Sequence, residues 1–391
     1  MQVFHTDSKI IITCNKRLSP YLQQEVTALG YSIDRAFLTG VELTGSVNDT
    51  IPLNLNLRCA SQVLYSLGAF TAKDPQELYD HLVKIEWETL IDFSGYFSVT
   101  SNVNNEHIRT PLFANVKVKD AIADRIKSVK GIRPNSGPEV NKTVIHLYWQ
   151  DDKAEIFIDT SGETLAKHSY RKIPGKAPML EALATSVIMA TNWDKNSTFI
   201  NPMCGSGTLA IEAALLATDK SPGFFRMNYG FMHLMGYDEQ VFFQERRKLK
   251  DKGRKELNFK IIATDISADA IDVSRKNAKT AGVEHLIDFA VCDFAETEVP
   301  ELPGVVVFNP EYGERLGTHT KLEATYKRVG DFMKQQCKGY RGYIFTGNPD
   351  LAKRIGLSAK RRIEFYNGKL DCRLLEYELY EGSKREPKPT T

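Results

Sequence analysis

Paired cysteines are missing from this 391-residue sequence. Its six cysteines (Cys14, Cys59, Cys204, Cys292, Cys337 and Cys372) form no C-x-x-C pair and no cluster with histidine at metal-ligand spacing. That argues against a structural zinc or a disulfide framework, fits a reducing compartment, and leaves no metal to expect. Long apolar runs are missing too. Nothing approaches the roughly 18 residues of a membrane span, and the stretch MQVFHTDSKIIITCNKRLS has no uninterrupted apolar segment before a small-residue cleavage site. The expected location is the cytoplasm, with no membrane partner. An excess of either charge is also absent: 51 Lys and Arg face 49 Asp and Glu, so any nucleic-acid surface has to be local. There is no internal repeat, and the one low-complexity tract, Lys384 to Pro389, belongs to an expected disordered tail over 384–391.

What is present divides into two textures near residue 165. Before it the elements are short and mixed. Strands are predicted at Ile10–Cys14, Tyr96–Val103, Val144–Trp149 and Glu155–Asp159, and helices at Pro20–Leu29, Pro75–Lys84 and Val118–Val129. Asn54–Arg58 alternates apolar and polar residues and reads as a half-buried strand. This mixture predicts small α+β units. After residue 165, apolar runs at Phe199–Ile200, Ile261–Thr264, Asp288–Val291 and Val305–Phe308 are each followed by loop residues and then a helical stretch. That is the pattern of a wound α/β sheet, whose ligands sit at the carboxyl ends of the strands.

The first such strand runs through NPMCGSGT (201–208) into a helix at Leu209–Ala217. Gly205 and Gly207 permit a tight turn and close approach of a ligand, and the helix N-terminus offers unpaired N–H groups. A dinucleotide site would require an acid about 20 residues further on, at the next strand end. Here the next strand ends at Asp265, beyond a charged insertion at Thr218–Phe259, and the nicotinamide reading loses ground. Asp265 is placed to accept from ribose hydroxyls, and Asp293, past the following strand, from an adenine amine. Either can instead cap the turn or helix after it.

The segment GVVVFNPEYGERLG (304–317) delivers Asn309 and Pro310 to the sheet edge, with Tyr312 two residues later. A planar exocyclic amine is a poor nucleophile because its lone pair is delocalised into the base. The Asn309 side-chain oxygen and the Pro310 carbonyl are suited to accept its hydrogens and to hold the nitrogen in line with a sulfonium methyl. Tyr312 can stack on the base. An Asn-Pro pair after a strand is otherwise an ordinary turn signal.

Together these strings resemble the RNA guanine-N2 methyltransferases that carry an N-terminal THUMP domain. NPMCGSGT stands against that family's D-P-M-C-G-S-G-T, and NPEYGERLG against N-P-P-Y-G-E-R-L-G. The likeness extends over VKVKDAIAD (116–124), DTSGETLAKHSYR (159–171) and APMLEALA (177–184), so it covers most of the chain. It implies a Rossmann-like class I SAM-dependent methyltransferase domain preceded by an α+β ferredoxin-like/THUMP region. The expected boundaries are 1–60 for the ferredoxin-like part, 61–165 for THUMP and 166–383 for the methyltransferase. S-adenosylmethionine is the implied cofactor, held by Asn201, Cys204, Gly205, Gly207, Asp265, Ile266, Asp293 and Phe294. Catalysis is implied for Asn309, Pro310 and Tyr312. The implied partner is structured RNA, 23S ribosomal RNA or a ribosome-assembly intermediate, bound by a monomer. Two positions depart from the pattern: Asn201 replaces the usual Asp, and Glu311 the second proline.

Lys119, Lys127 and Lys130 fall within about 80° on a helical wheel, beside an apolar arc of Val118, Ile122, Ile126 and Val129 expected to face the core. With Lys117, Arg133, Arg171 and Lys172 they are the candidate RNA contacts. A lysine-rich face is often only solvated, and a basic strip gains meaning from the THUMP likeness. Two other readings stay open. One is a DNA adenine-N6 methyltransferase, which shares the reacting motif. The other is a catalytically silent RNA-binding or ribosome-assembly factor, which the changes at 201 and 311 keep alive.

Overall fold

Apolar residues alternate along the early strands and recur every third or fourth residue in the helices, and these patterns form the elements of the computed structural model. It describes residues 3–105, 108, 110–173, 179–301, 304–311 and 319–380. By internal contacts the chain forms two compact units: Met1–His168 with Ser221–Lys252, and Ser169–Lys220 with the chain from Gly253 onward.

The first unit runs β1 (Ser8–Thr13), α1 (Ser19–Ala28), β2 (Arg35–Phe37), β3 (Gly40–Gly45), α2 (Val47–Asn56), β4 (Gln62–Thr71), α3 (Pro75–Leu82), β5 (Tyr96–Asn104), α4 (Pro111–Lys130), β6 (Asn135–Gly137), β7 (Thr143–Gln150) and β8 (Lys153–Asp159). Its strands make one sheet in the order β2-β3-β1-β4-β8-β7-β5-β6. All pairs are antiparallel except that β5 runs parallel to β6 and β7.

The strand expected at Asn54–Arg58 is instead the end of α2. A capping box between Ser46 and Asp49 starts that helix. Asn54, which made the alternation look solvent-facing, is 2% exposed. Its amide donates to Thr50 O and Thr160 Oγ1 and accepts from Ser161 Oγ. A fully hydrogen-bonded buried amide thus imitates a polar surface position. In α4, Val118, Ile122 and Ile126 are buried as expected, but Val129 is 49% exposed. The whole last turn, Lys127 to Lys130, is exposed, so the apolar arc ends one turn early.

The second unit begins with α5 (Glu181–Ala190), β9 (Thr198–Pro202) and α6 (Thr208–Ala217). The insertion follows, with α7 (Glu239–Lys252) packed against α2; residues 221–252 therefore belong to the first unit, although the sequence reading kept them in the cofactor half. The second unit resumes with β10 (Ile261–Asp265), α8 (Ala268–Thr280), β11 (Ile287–Val291), β12 (Gly304–Phe308), α9 (His319–Gln336), β13 (Arg341–Thr346), α10 (Pro349–Lys353), β14 (Arg361–Asn367) and β15 (Leu370–Glu378). Strand order is β11-β10-β9-β12-β13-β15-β14, parallel through β13 and antiparallel for the last two strands.

The inner strands are nearly continuous runs of buried residues because helices cover both faces. On one side Tyr326, Val329, Phe332 and Met333 of α9 pack on Ile200, Val306, Phe308 and Ile344. Phe294, Phe308 and Phe332 meet edge to face with centroids 6.1–6.3 Å apart. This core fixes β9, β12, the turn after β11 and α9 against one another, and the strand order reverses between β9 and β12.

Candidate active site

The turn after β9 is held by its neighbours. Cys204 N–H donates to Thr264 O, Gly205 N–H to Asp265 Oδ2 at 3.0 Å, and Ser274 Oγ to Gly205 O at 2.7 Å. Gly205 and Gly207 both have positive φ, +57° and +80°. Their surroundings differ. A Cβ on Gly205 would meet nothing within 4 Å, whereas one on Gly207 would lie 2.9 Å from Ser274 Cβ. Gly207 therefore makes room for the close approach of α8, while Gly205 is the glycine of the turn that lines the cavity described below. Cys204 is buried, and burial first, then the nearby Asp265 charge, pushes its thiol up to about 12. It is a packed thiol and not a nucleophile.

Asp265 does not cap α8; Ser267 does, its side chain accepting from Ala270 N–H. The Asp265 carboxylate braces two backbones, accepting from Gly205 N–H through Oδ2 and from Ser267 N–H through Oδ1. Each oxygen keeps a lone pair for a further donor. Asp293 does cap the short turn Phe294–Glu296, accepting from Ala295 N–H. It also pairs with Arg328 Nη2 at 2.7 Å. Burial pushes the Asp293 carboxyl up, but the Ala295 amide and Arg328 outweigh it and hold it below the usual value.

These strand ends surround a cavity of about 860 Å³ within the second unit. Asn201, Cys204, Gly205, Asp265, Ile266, Asp293, Phe294, Asn309 and Pro310 all line it. Ile266 is 74% exposed, an apolar side chain left open beside the cavity acids. Asn201 is buried; its Nδ2 donates to Val307 O at 2.9 Å, where β9 and β12 part, and among the described residues its Oδ1 has no hydrogen-bond partner. Glu311 also lines the cavity. Tyr312 and Arg315 lie outside the described residues.

The basic candidates scatter. Lys127 and Lys130 are exposed and Lys117 and Lys119 half-buried on α4. Arg133 is engaged by Asp120 and Asp124 at 3.1 and 3.2 Å, and the neighbouring Arg125 by Glu88 at 2.7 Å. Lys172 is exposed, but Arg171 is not a surface contact. It is 11% exposed, donates to Met179 O and Thr208 Oγ1, and faces Glu181 at 3.4 Å, so it braces the start of α6. Sequence reasoning missed Arg328, Lys321 and Thr325, which line the cavity from α9. Their i, i+4, i+7 spacing was the available signal. It also missed Asn277, which bonds both N and O of Ile173.

Residues 168–376, more than half the chain, match the family described as the RMKL-like methyltransferase domain. The chain belongs to the RMKL-like methyltransferase family. Upstream, residues 9–64 match the RlmL ferredoxin-like domain and 72–159 the THUMP domain. The chain is 33% identical over 384 residues to "Ribosomal RNA large subunit methyltransferase K/L" of Syntrophotalea carbinolica, covering 95% of this chain and 54% of that one. The Methylococcus capsulatus protein of the same name is 34% identical over 374 residues, covering 94% and 50%. The chain thus spans about half the length of these relatives. The structure of SMU.472 complexed with SAH superposes with a TM-score of 0.86 at 25% identity, covering 96% of this chain and 99% of that one. A Listeria monocytogenes structure described as "a predicted N6-adenine-specific DNA methylase" gives 0.85 at 28% identity, covering 96% and 97%. The second unit of this RMKL-like methyltransferase is therefore a SAM-dependent methyltransferase domain.

The residues present fit S-adenosylmethionine. Asn201 Oδ1 is an orphaned acceptor for an ammonium, Gly205 leaves open space, and acceptors at Asp265 and Asp293 flank an exposed apolar side chain, as a nucleoside requires. Among the described residues no cluster of His, Cys, Asp or Glu could hold a metal ion, and no helix is long and apolar enough to cross a membrane.

Proposed function

We propose that this chain methylates an exocyclic base amine in RNA, forming N2-methylguanosine in 23S ribosomal RNA. The observation that carries the reading is the meeting of Asn309 and Pro310 with Gly205, Asp265 and Asp293 around one cavity at the strand ends. Bound S-adenosylmethionine supplies a methyl on a sulfonium, ready for displacement. Asp265 holds the ribose hydroxyls while bracing the glycine turn, and Asp293 accepts from the adenine amine. Asn201 Oδ1 takes the ammonium end, with an amide dipole in place of the family's carboxylate charge.

Asn309 and Pro310 act on the other partner. Their oxygens accept the two hydrogens of the base amine, turn its lone pair toward the methyl, and favour the positive charge that develops on nitrogen. Tyr312 stacks on the base. Glu311 adds a carboxylate beside it in place of a proline ring, a second acceptor for a base edge carrying neighbouring N–H donors such as guanine N1–H and N2–H. The THUMP region and the lysines of α4 hold phosphates and position the RNA.

The names of the relatives support ribosomal RNA as substrate. The test is nucleoside analysis of ribosomal RNA from a strain lacking the protein. Loss of one N2-methylguanosine from 23S RNA, restored by the wild-type gene, is expected. An unchanged ribosomal profile with N6-methyladenine missing from DNA would overturn the reading in favour of the adenine-N6 alternative.

A further inference from the structure

We propose that Arg328 is a positioning residue that aims Asp293 at the adenine amine and thereby sets the base selectivity of the cofactor site. The inference rests on the reading of Asp293 as the adenine acceptor, and adds a residue outside the glycine turn and the strand ends.

Asp293 carries its two local hydrogen bonds on the same oxygen. Ala295 N–H reaches Oδ1 at 2.9 Å and Arg328 Nη2 reaches it at 2.7 Å. Among the described residues Oδ2 has no partner, so two donors on one oxygen fix the carboxylate and leave the other oxygen for a ligand. The guanidinium is held from a second side, lying 4.9 Å over the Phe294 ring. Its helix cannot drift, because Tyr326, Val329, Phe332 and Met333 are buried in the core beneath the sheet. Arg328, Asp293 and Phe294 all line the cavity. The other charged groups on that cavity are Asp265, Asp269, Glu311 and Lys321, and of the basic ones only Arg328 forms an ion pair with Asp293.

The chemistry follows from the acceptor. Adenine presents an N6–H₂ donor, whereas hypoxanthine presents an oxygen at that position. A carboxylate held with one oxygen toward this edge welcomes the first and repels the second. Without Arg328, Asp293 is tethered by the Ala295 amide alone and loses its cation, so both its aim and its resistance to protonation decline.

Calorimetric titration with S-adenosylhomocysteine and with S-inosylhomocysteine, its 6-oxo analogue, reads this directly. The wild-type protein is expected to prefer the adenosyl compound by about tenfold or more. Arg328→Gln should bind it about tenfold less tightly, with the preference collapsing toward unity, and Arg328→Lys should restore most of it. Affinity for the adenosyl compound should begin to fall at a higher pH on acidification in Arg328→Gln than in wild type, a change that simple loss of packing does not produce. An unchanged preference ratio and unchanged pH profile in Arg328→Gln overturn the proposal. Asp293→Ala separates the two levels. If it weakens adenosyl binding and abolishes the preference while Arg328→Gln does neither, only the role of Arg328 falls. If Asp293→Ala itself binds both compounds like wild type, the adenine-acceptor reading falls and this inference with it.

Discussion

Exchanging the two glycines of the cofactor turn for alanine, one at a time, should produce opposite faults. Both sit at positive φ, so each alanine costs about 1–2 kcal/mol of backbone strain. At Gly207 the new methyl would also stand 2.9 Å from Ser274 Cβ and 3.4 Å from its Cα on the packed helix α8. Forcing those backbones apart adds about 1–3 kcal/mol. Gly207→Ala should therefore lose about 3 kcal/mol of stability and Gly205→Ala only about 1 kcal/mol. Binding reverses the order. The Gly205 methyl meets no protein atom within 4 Å and stands beside the cavity, where it takes space the ligand needs. An overlap worth about 1–3 kcal/mol weakens S-adenosylhomocysteine binding by about 5- to 150-fold. The folded Gly207→Ala protein should bind S-adenosylhomocysteine within a few-fold of wild type, because its methyl is directed at Ser274. Urea unfolding of the ligand-free protein and calorimetric titration of the ligand give the two numbers. The reasoning is refuted if Gly205→Ala binds within twofold of wild type, or if Gly207→Ala is no less stable than Gly205→Ala.

Three further outcomes follow. Asp265→Ala removes acceptors of the Gly205 and Ser267 amides as well as the proposed ribose contact, so S-adenosylhomocysteine affinity should fall by about 100-fold, and Asp265→Asn should fall less; calorimetry checks both. His146 hydrogen-bonds Thr100 Oγ1 at 2.8 Å, and burial lowers its pKa to about 4. Since that lies below the unfolded value, the stability it confers is complete above pH 6.5 and lost as pH falls, by about 2 kcal/mol between pH 7 and 5. Urea unfolding at the two pH values should show that loss in wild type and a smaller one in His146→Gln. Replacing Lys119, Lys127 and Lys130 together by Gln should weaken RNA binding and shrink the slope of log affinity against log salt by about 2 to 3, while Arg171→Gln should leave that slope alone and weaken the cofactor. Filter binding across salt concentrations distinguishes the two.

The legible part of this protein was the part built on strand ends. Parallel strands buried on both faces read as short apolar runs, and Asn201, Asp265, Asp293 and Asn309, at or just past the carboxyl ends of those strands, line one cavity. Side chains whose partners are remote in sequence were less legible. Nothing local distinguishes Arg171 from Lys172, yet one is buried against Glu181 and the other is exposed. Arg133 looks like a free cation until α4 brings Asp120 and Asp124 beside it. Gly207 looks like its neighbour Gly205 until α8 closes on it. The strand misread at Asn54 failed for the same reason: the partners of its amide, Thr160 and Ser161, are more than 100 residues away. Arg328 was reachable from helical spacing, but only with Asp293 already placed opposite it.

The central claim is that Asn309 and Pro310 hold a guanine amine for methylation. The direct test is transfer of a labelled methyl group from S-adenosylmethionine to unmodified 23S ribosomal RNA, with nucleoside analysis of the product, for wild type and Asn309→Ala. Label in N2-methylguanosine alone, with turnover reduced about 10²- to 10³-fold in Asn309→Ala and cofactor affinity unchanged, is the predicted result. Label in any other nucleoside, or turnover in Asn309→Ala equal to wild type, would contradict it.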